Sequence, residues 1–525
     1  MAAIDEKYFP VPSSGANNNS LAPRIWPGIS PESINTLRKA LTENQKKHHV
    51  FFNFRGFHNH IPHTLLTLWA LGADAAILQK TNEENSKDQR DAFISPNPIT
   101  KDNWKDYLGD EKCVSSLQSL FLGRFSQLRS YYQGYLEFFK SEVTEKDFGT
   151  ILEEYVFSSG ANFGAGDKNP GMLNRFFAGL FHPLIHTGLG VEFGLPGTFA
   201  EGLAQTAVHK AESPELFPSS LFNDASKAES LASQFANKVG LGDKGEAGKD
   251  IHAFTVLARV LANPALAPVE LKNPMGFYKE NLVNSGETIK KYVDEWIVGE
   301  ENLQEKVKEL IWICSLIYGV GGFEGSDKPF NADFFTMHFV TASIFISSIF
   351  SILKPSSQVL LLKGYLAITL VWYIARHRYP IDIPRFFNDS SLLHPAPPGA
   401  HPTPHAAAYP SPTSSQAITP EPWLAIIQST LTHPDDHISK LQRALSEFSS
   451  RFGGIAKGVF SNTELKDADL IDGTLFLRAA GLTTARLGWV REGQPPLGAD
   501  SPVPVVWDRR GLSLPPPSEL RPSRK

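Results

Sequence analysis

The stretch from Phe54 to Ala76, FRGFHNHIPHTLLTLWALGADAA, constrains the fold of this chain more than any other. Three histidines, His58, His60 and His63, fall within six positions at the mouth of an apolar run through Leu65, Leu66, Leu68, Trp69 and Leu71. Pro62 suits the first position of a helix, where its fixed φ is pre-organised and its missing N–H costs nothing. His63, Thr67, Ala70 and Asp74 then share one narrow face by i, i+3/i+4 spacing. An imidazole in the first turn feels the positive end of the helix dipole. That favours the neutral ring, which acts as a base near neutral pH.

A second stretch repeats the theme. Leu173–Glu212 reads LNRFFAGLFHPLIHTGLGVEFGLPGTFAEGLAQTAVHKAE. His182 and His186 are four apart and share a helix face, and Pro183 kinks or starts that helix. Gly188, Gly190 and Gly194 allow a tight bend before Pro196 opens another helix, along which Glu201 and His209 lie about two turns apart. With His338, six histidines (His58, His60, His63, His182, His186, His338) sit in apolar or Gly/Pro-punctuated surroundings. One such residue alone is ordinarily a hydrogen-bonded core histidine. For the set, a shared polar pocket inside a helical core is the simplest way to partner them all.

Two chemistries fit such a pocket. A metal site would use His182 and His186 with a carboxylate from Glu192 or Glu201, but HExxH and the paired Glu-x-x-His pattern of helical di-iron proteins are absent. Metal-free acid–base chemistry would use neutral imidazoles to deprotonate a phenol or enol, with a cation such as Arg376 holding the oxyanion. The 36 Phe and nine Trp supply stacking surface for flat rings. A Rossmann fingerprint, a P-loop and a GxSxG elbow are all missing.

Composition narrows the class. The 525 residues carry 50 Lys and Arg against 55 Asp and Glu, a net charge of −5 without a basic patch, which argues against nucleic acid. Cys113 and Cys314 have no zinc-ligand spacing, which points to a reducing compartment, and the polar N-terminus is no signal peptide; a cytoplasmic protein is expected. The apolar runs Phe334–Leu353 and Val359–Ala375 contain His338, hydroxyl residues and Lys363, so they read as buried core helices rather than membrane spans.

The expected organisation is mainly α: an irregular arm over 1–29, a helical catalytic core over 30–393, a Pro/Ser/Thr-rich disordered insertion over 394–421, and a C-terminal helical segment with an irregular tail over 422–525. Ser30-Pro31 marks the first helix start, and Ser115–Glu142 and Asp147–Ser158 read as amphipathic helices. Asp333 caps the run containing His338, and Trp372, Arg376 and His377 end the next helix, where cations are favoured. Asp435 or Asp436 caps a helix over His437–Phe452, and VPVVWD reads as a strand.

Taken in order, FHNHIPHTLLTLWALGA, FHPLIHTGLGVEFG, EGLAQTAVH, DFFTMHFVTASIFI, KGYLAITLVWYIAR, LTHPDDHISKLQRAL and DGTLFLRAAG resemble the questin oxidase-like proteins from about residue 26 to about 510. The resemblance implies an oxidoreductase of fungal secondary metabolism, a Baeyer–Villiger-type monooxygenase that opens an anthraquinone-derived polyketide ring. It implies O₂ as co-substrate, no tightly bound cofactor, and NADPH used indirectly to reduce the substrate, through a pathway reductase as partner. The motif positions it carries onto this chain are His58, His60, His63, His182, His186, His209 and His338, without a role for each; the expected catalytic residues are His63 or His186 as base and His338 at the peroxide or oxyanion. His58, His60, His182, His209, Trp372 and Arg376 are then the expected substrate contacts, with no metal. Two other readings remain open at this point: a non-haem metal oxygenase using the same histidines, and a polyketide-binding protein without turnover.

Overall fold

The computed structural model describes residues 3–13, 22–53, 56–109, 131–164, 169–223, 225, 250–268, 277–299, 301–395, 397–399, 403–490, 494, 497 and 505–509. Among these, fourteen helices have ten or more residues. They are α1 (Pro31–Lys47), α2 (Ile61–Ala70), α3 (Ala75–Asn85), α4 (Tyr132–Glu145), α5 (Ala178–Phe193), α6 (Pro196–Val208) and α7 (Ala253–Ala262). Then follow α8 (Phe277–Glu295), α9 (Leu303–Gly319), α10 (Thr336–Phe350), α11 (Pro355–Ala375), α12 (Pro422–Thr432), α13 (Ile438–Phe452) and α14 (Leu475–Leu487). Among the described residues β-pairing is confined to isolated bridges, so the fold is mainly α as expected.

The chain forms two compact units. The first comprises residues 1–249, 297–307 and 342–368, and the second 250–296, 308–341 and 369–525. The segment after residue 421 therefore belongs to a unit that also draws on three earlier stretches.

In the first unit, α1 starts as its sequence predicts: Ser30 and Ser33 cap each other's backbone N–H groups, with Pro31 at the helix start. Helix α2 is buried along its whole length. It begins at Ile61, so Pro62 is its second residue rather than its first. It stops at Ala70, and Gly72 (φ +91°) turns the chain so that Asp74 caps α3 through the Ile77 N–H at 2.9 Å. Asp74 thus leaves the face of His63 and Thr67, contrary to the periodic reading.

The α5–α6 hairpin corrects a second expectation. Only Gly194 (φ +63°) makes the bend; Gly188 and Gly190 lie within α5. They are needed because the Phe199 backbone comes close to Gly190 and the Phe345 side chain to Gly188. A Cβ on Gly190 would stand 2.6 Å from the Phe199 Cα, and one on Gly202 would stand 2.5 Å from the Thr187 nitrogen. A Cβ on Gly188 would meet the Phe345 ring carbon at 2.8 Å. Small residues at both crossings let the two helices approach closely enough to pair buried polar side chains across them.

The amphipathic segment near Ser115 is described only from residue 131, where α4 begins; the rest of that expectation lies outside the described residues, as does Cys113. Asp147–Ser158 is helical but changes pitch, from α over Phe148–Leu152 to π over Glu153–Phe157. Of VPVVWD, residues 503–504 lie outside the described residues, and Asp508 makes one bridge with Asp333. Within 394–421 the described residues hold one short helix, Ser415–Ile418.

In the second unit, the Trp296 indole and the Ala253 N–H both donate to the buried Glu309 carboxylate, tying α7, the end of α8 and α9 together. Arg478 of α14 donates to the carbonyls of Phe386, Phe387 and Asp389. Gln442 of α13 donates to the Ala480 carbonyl at 3.0 Å. Of the two runs weighed as spans, only α11 is long and apolar enough to cross a membrane, and most of it is buried inside the protein.

Gly202→Ala is expected to cost about 1–3 kcal/mol, the range for overpacking a filled interior, and a thermal melt measures it. An unchanged melting temperature would mean that α5 and α6 are not held at this separation.

Candidate active site

The first unit assembles its histidines as rungs between two helix starts. His60 and His63 at the start of α2 face His182 and His186 in the first turns of α5. The His60 and His182 Nε2 atoms are 2.8 Å apart, and His63 Nε2 is 3.1 Å from His186 Nδ1. The far nitrogen of His186 meets Glu201 Oε2 of α6 at 3.1 Å. His58 lies flat on His182, with centroids 3.8 Å apart and planes 7° from parallel, and its Nε2 is 2.8 Å from His209 Nε2. Six imidazoles and one carboxylate, all buried but for the half-buried His209, therefore form one cluster.

Local backbone geometry sets these positions. Asn59 is fixed by donating to Asn44 Oδ1 and to the His49 carbonyl, and its own Oδ1 accepts the Ile61 N–H. Gly179, Leu180 and Phe181 all adopt left-handed φ, between +54° and +65°, so the regular helix starts at His182 and Pro183. Pro183 thus opens the helix. Two non-glycine residues in that region carry strain, which persists only where the surroundings over-determine it. Here Phe181 stacks on Tyr365 at 4.5 Å, and the Gly179 carbonyl receives His182 Nδ1–H at 2.5 Å. Gly179 is also a spacer: a Cβ there would lie 2.6 Å from the His209 ring and 2.9 Å from the His58 ring.

Partners assign the ring protons. His182 donates from Nδ1 to a carbonyl, so its neutral ring accepts at Nε2, and His60 donates from Nε2. His186 donates from Nε2 to the Glu201 carboxylate, so it accepts at Nδ1 from His63 Nε2–H. The neutral His63 ring then carries its lone pair on Nδ1. A proton taken up there is stabilised through His186 by the Glu201 carboxylate, the logic of a carboxylate-oriented base extended by one imidazole. The His58–His182 stack sets a limit on charge. Two cations 3.8 Å apart repel by about 4 kcal/mol at an effective dielectric of 20, so one ring of that pair stays neutral.

The other three expected residues lie in the second unit. Asp333 Oδ1 caps α10 through the Phe335 and Thr336 N–H groups, both at 2.9 Å. Its Oδ2 accepts from Arg376 Nε and Nη2 at 2.9 and 2.7 Å. Arg376 lies 4.4 Å over the Phe335 ring, and Trp372 stacks on Tyr278 at 4.3 Å and on Phe335 at 5.4 Å. His338 donates to the Phe334 carbonyl and packs against His437, which pairs with Asp436. The six imidazoles of the first unit are thus brought together, while His338, Trp372 and Arg376 belong to the second unit, among aromatic rings.

The sequence reading passed over Asn59, the left-handed turn and His437. Asn59 sits inside the quoted histidine run, and the HPDDH punctuation before α13 marks His437; the turn has no signal beyond one glycine. Glu201 rather than Glu192 is the carboxylate hydrogen-bonded to His186. A cleft of about 650 Å³ in the first unit, between Asp147–Ser159 and Ile352–Leu360, is lined by none of these histidines.

Comparison with known proteins decides the family. The questin oxidase-like family model matches residues 57–445. This chain belongs to the questin oxidase-like family. It is similar to the questin oxidase of Aspergillus terreus, 26% identical over 81% of this chain and 83% of that one. It is likewise similar to the Baeyer-Villiger oxidase ptaJ of Pestalotiopsis fici, 26% identical over 86% and 87%. The Baeyer-Villiger oxidase mdpL of Emericella nidulans is 30% identical over 63% of this chain and 67% of its own length. As a family member the chain is an oxidoreductase, a monooxygenase in kind.

Gly179→Ala is expected to force His58 and His209 apart and to cost about 1 kcal/mol or more from the positive φ. Ring NMR signals of His58 and His209 would move while those of His63 and His186 hold still. Unmoved His58 and His209 signals would contradict the spacer role.

Proposed function

We propose that this protein is a Baeyer–Villiger-type oxygenase acting on a polycyclic phenolic ketone, a reduced anthraquinone-class polyketide, with His63 as the base. The observation that carries the reading is the buried Glu201–His186–His63 series, with its spacings of 3.1 and 3.1 Å. His63 Nδ1 removes a phenolic or enolic proton, and His186 and Glu201 stabilise the imidazolium that results. The electron-rich anion reacts with O₂ to give a peroxide. One peroxide oxygen enters the bond between the carbonyl carbon and the ring, and the other leaves as water. The two-electron reduced substrate supplies the electrons, so that SH₂ and O₂ give SO and H₂O. NADPH acts earlier, through a pathway reductase that reduces the quinone.

Two groups of residues complete the proposal. His58, His60, His182 and His209 offer N–H donors to substrate oxygens, under the charge limit set by the stack. For the second unit by itself, Trp372 and the Asp333-paired Arg376 are proposed as ring-stacking and positively charged contacts for an aromatic ligand, and His338 as an oxyanion contact. The names of the relatives, questin oxidase and Baeyer-Villiger oxidase, support this reaction class.

Oxygen uptake with a chemically reduced hydroxyanthraquinone tests the reading. His63→Ala and His186→Ala are expected to abolish uptake while circular dichroism stays helical. Glu201→Gln is expected to lower kcat by about 10²-fold or more, as loss of an orienting carboxylate does elsewhere. Full activity in both alanine variants would remove His63 and His186 from the mechanism. Stoichiometric iron or copper in purified active protein would favour a metal oxygenase on the same histidines.

A further inference from the structure

The second unit contains a group that the proposed mechanism leaves unused. Lys440 is 4% exposed, and among the described residues its Nζ has no hydrogen-bond partner. Next to it Ser439, 1% exposed, likewise has an unpartnered Oγ. Both belong to the first turn of α13, a helix of 15 residues. That is the wrong end for a cation, because the helix dipole already places positive charge there. A buried ammonium without a partner is among the costlier arrangements a protein can hold.

The surrounding charges do not relieve it. Asp435 accepts the His437 and Ile438 N–H groups and the Trp507 indole, and Asp436 pairs with His437. Both acids draw the Lys440 pKa upward, yet desolvation prevails and holds it at about 8. Farther along α13 stand Arg443 and Glu447; the packed helix α14 brings Arg478 and Arg486, and Asp333 is engaged by Arg376. Two buried donors without partners thus lie in the first turn of one helix, whose start itself favours negative charge, beside carboxylates already committed elsewhere.

We propose that Lys440 and Ser439, at the start of α13, form an anion-recognition site for an oxyanion of an aromatic ligand. Phenolate and carboxylate share the required chemistry. A phenolate belongs to the deprotonated substrate. A carboxylate belongs to the product, because oxygen insertion next to a ketone gives an ester whose hydrolysis liberates an acid. The choice of ligand rests on the oxygenase reading above; the anion site itself does not.

The test is binding to the full chain without turnover, by calorimetry under argon. One arm uses 2-benzoylbenzoate as the carboxylate probe, and the other a hydroxyanthraquinone above its own pKa as the phenolate probe. Lys440→Met and Lys440→Gln are expected to weaken one or both probes by tenfold or more. The arm that responds names the source. Carboxylate binding to the wild type should fall as pH rises through about 8, where the ammonium loses its proton, and the variants should lack that dependence. Because the folded-state pKa lies below that of the unfolded chain, the free wild type gains stability between about pH 8 and the ordinary lysine range. Lys440→Met, relieved of the buried charge, should therefore melt higher than wild type at pH 7. Unchanged affinity for both probes, or a lowered melting temperature for Lys440→Met, would overturn the proposal. If Lys440-dependent binding is found and oxygen uptake is not, the anion site stands and the oxygenase reading falls.

Discussion

The hydrogen bond between His186 and Glu201 is the interaction on which the chemistry proposed for the first unit depends. Neither group belongs in an apolar interior alone. Brought to 3.1 Å, each satisfies the other, and the carboxylate fixes which nitrogen of His186 carries the proton. That choice fixes the tautomer of His63, whose lone pair then falls on Nδ1. The contact exists because α5 and α6 approach closely enough for glycines to be obligatory at Gly190 and Gly202. Helix packing, tautomer and basicity are one argument at three scales.

Much of this is legible in the residues. The helical class follows from the spacing of apolar positions, and Ser30, Asp147, Asp333 and Asp435 act as caps. The clustering of His58, His60, His63, His182 and His186 follows from a rule about partners rather than from any motif, whereas His338, expected with them, belongs to the second unit and His209 joins the cluster instead. What the chain conceals is conformation that periodicity does not encode. Three left-handed residues before His182, two of them bulky, are held by tertiary contacts such as Phe181 on Tyr365. Sequence alone does not separate the packing glycines of α5 from a bend, because the same residue type serves turns and close packing, and only the neighbouring helix distinguishes them. The i, i+3/i+4 pattern through Asp74 runs past a helix end that Gly72 enforces, so periodicity alone puts Asp74 on the histidine face.

The two units divide the chemistry in character. The first gathers imidazoles whose mutual contacts restrict how many protons they hold. The second gathers aromatic rings with Arg376, His338 and His437, and keeps a lysine without an internal partner. The proposed base series of the first unit and the unpartnered Lys440 ammonium of the second each suit an anion, taken unit by unit. Stability and function pull apart at such places: the strained turn and the buried ammonium cost folding free energy and are retained.

The central claim is that the protein ionises its ligand through His63. Anaerobic mixing with a reduced hydroxyanthraquinone, at a pH below the ligand's own pKa, tests this directly by absorbance. The account predicts that wild-type protein produces the phenolate band at once and that His63→Ala binds the ligand without it. A phenolate band of equal strength in both proteins would contradict the account.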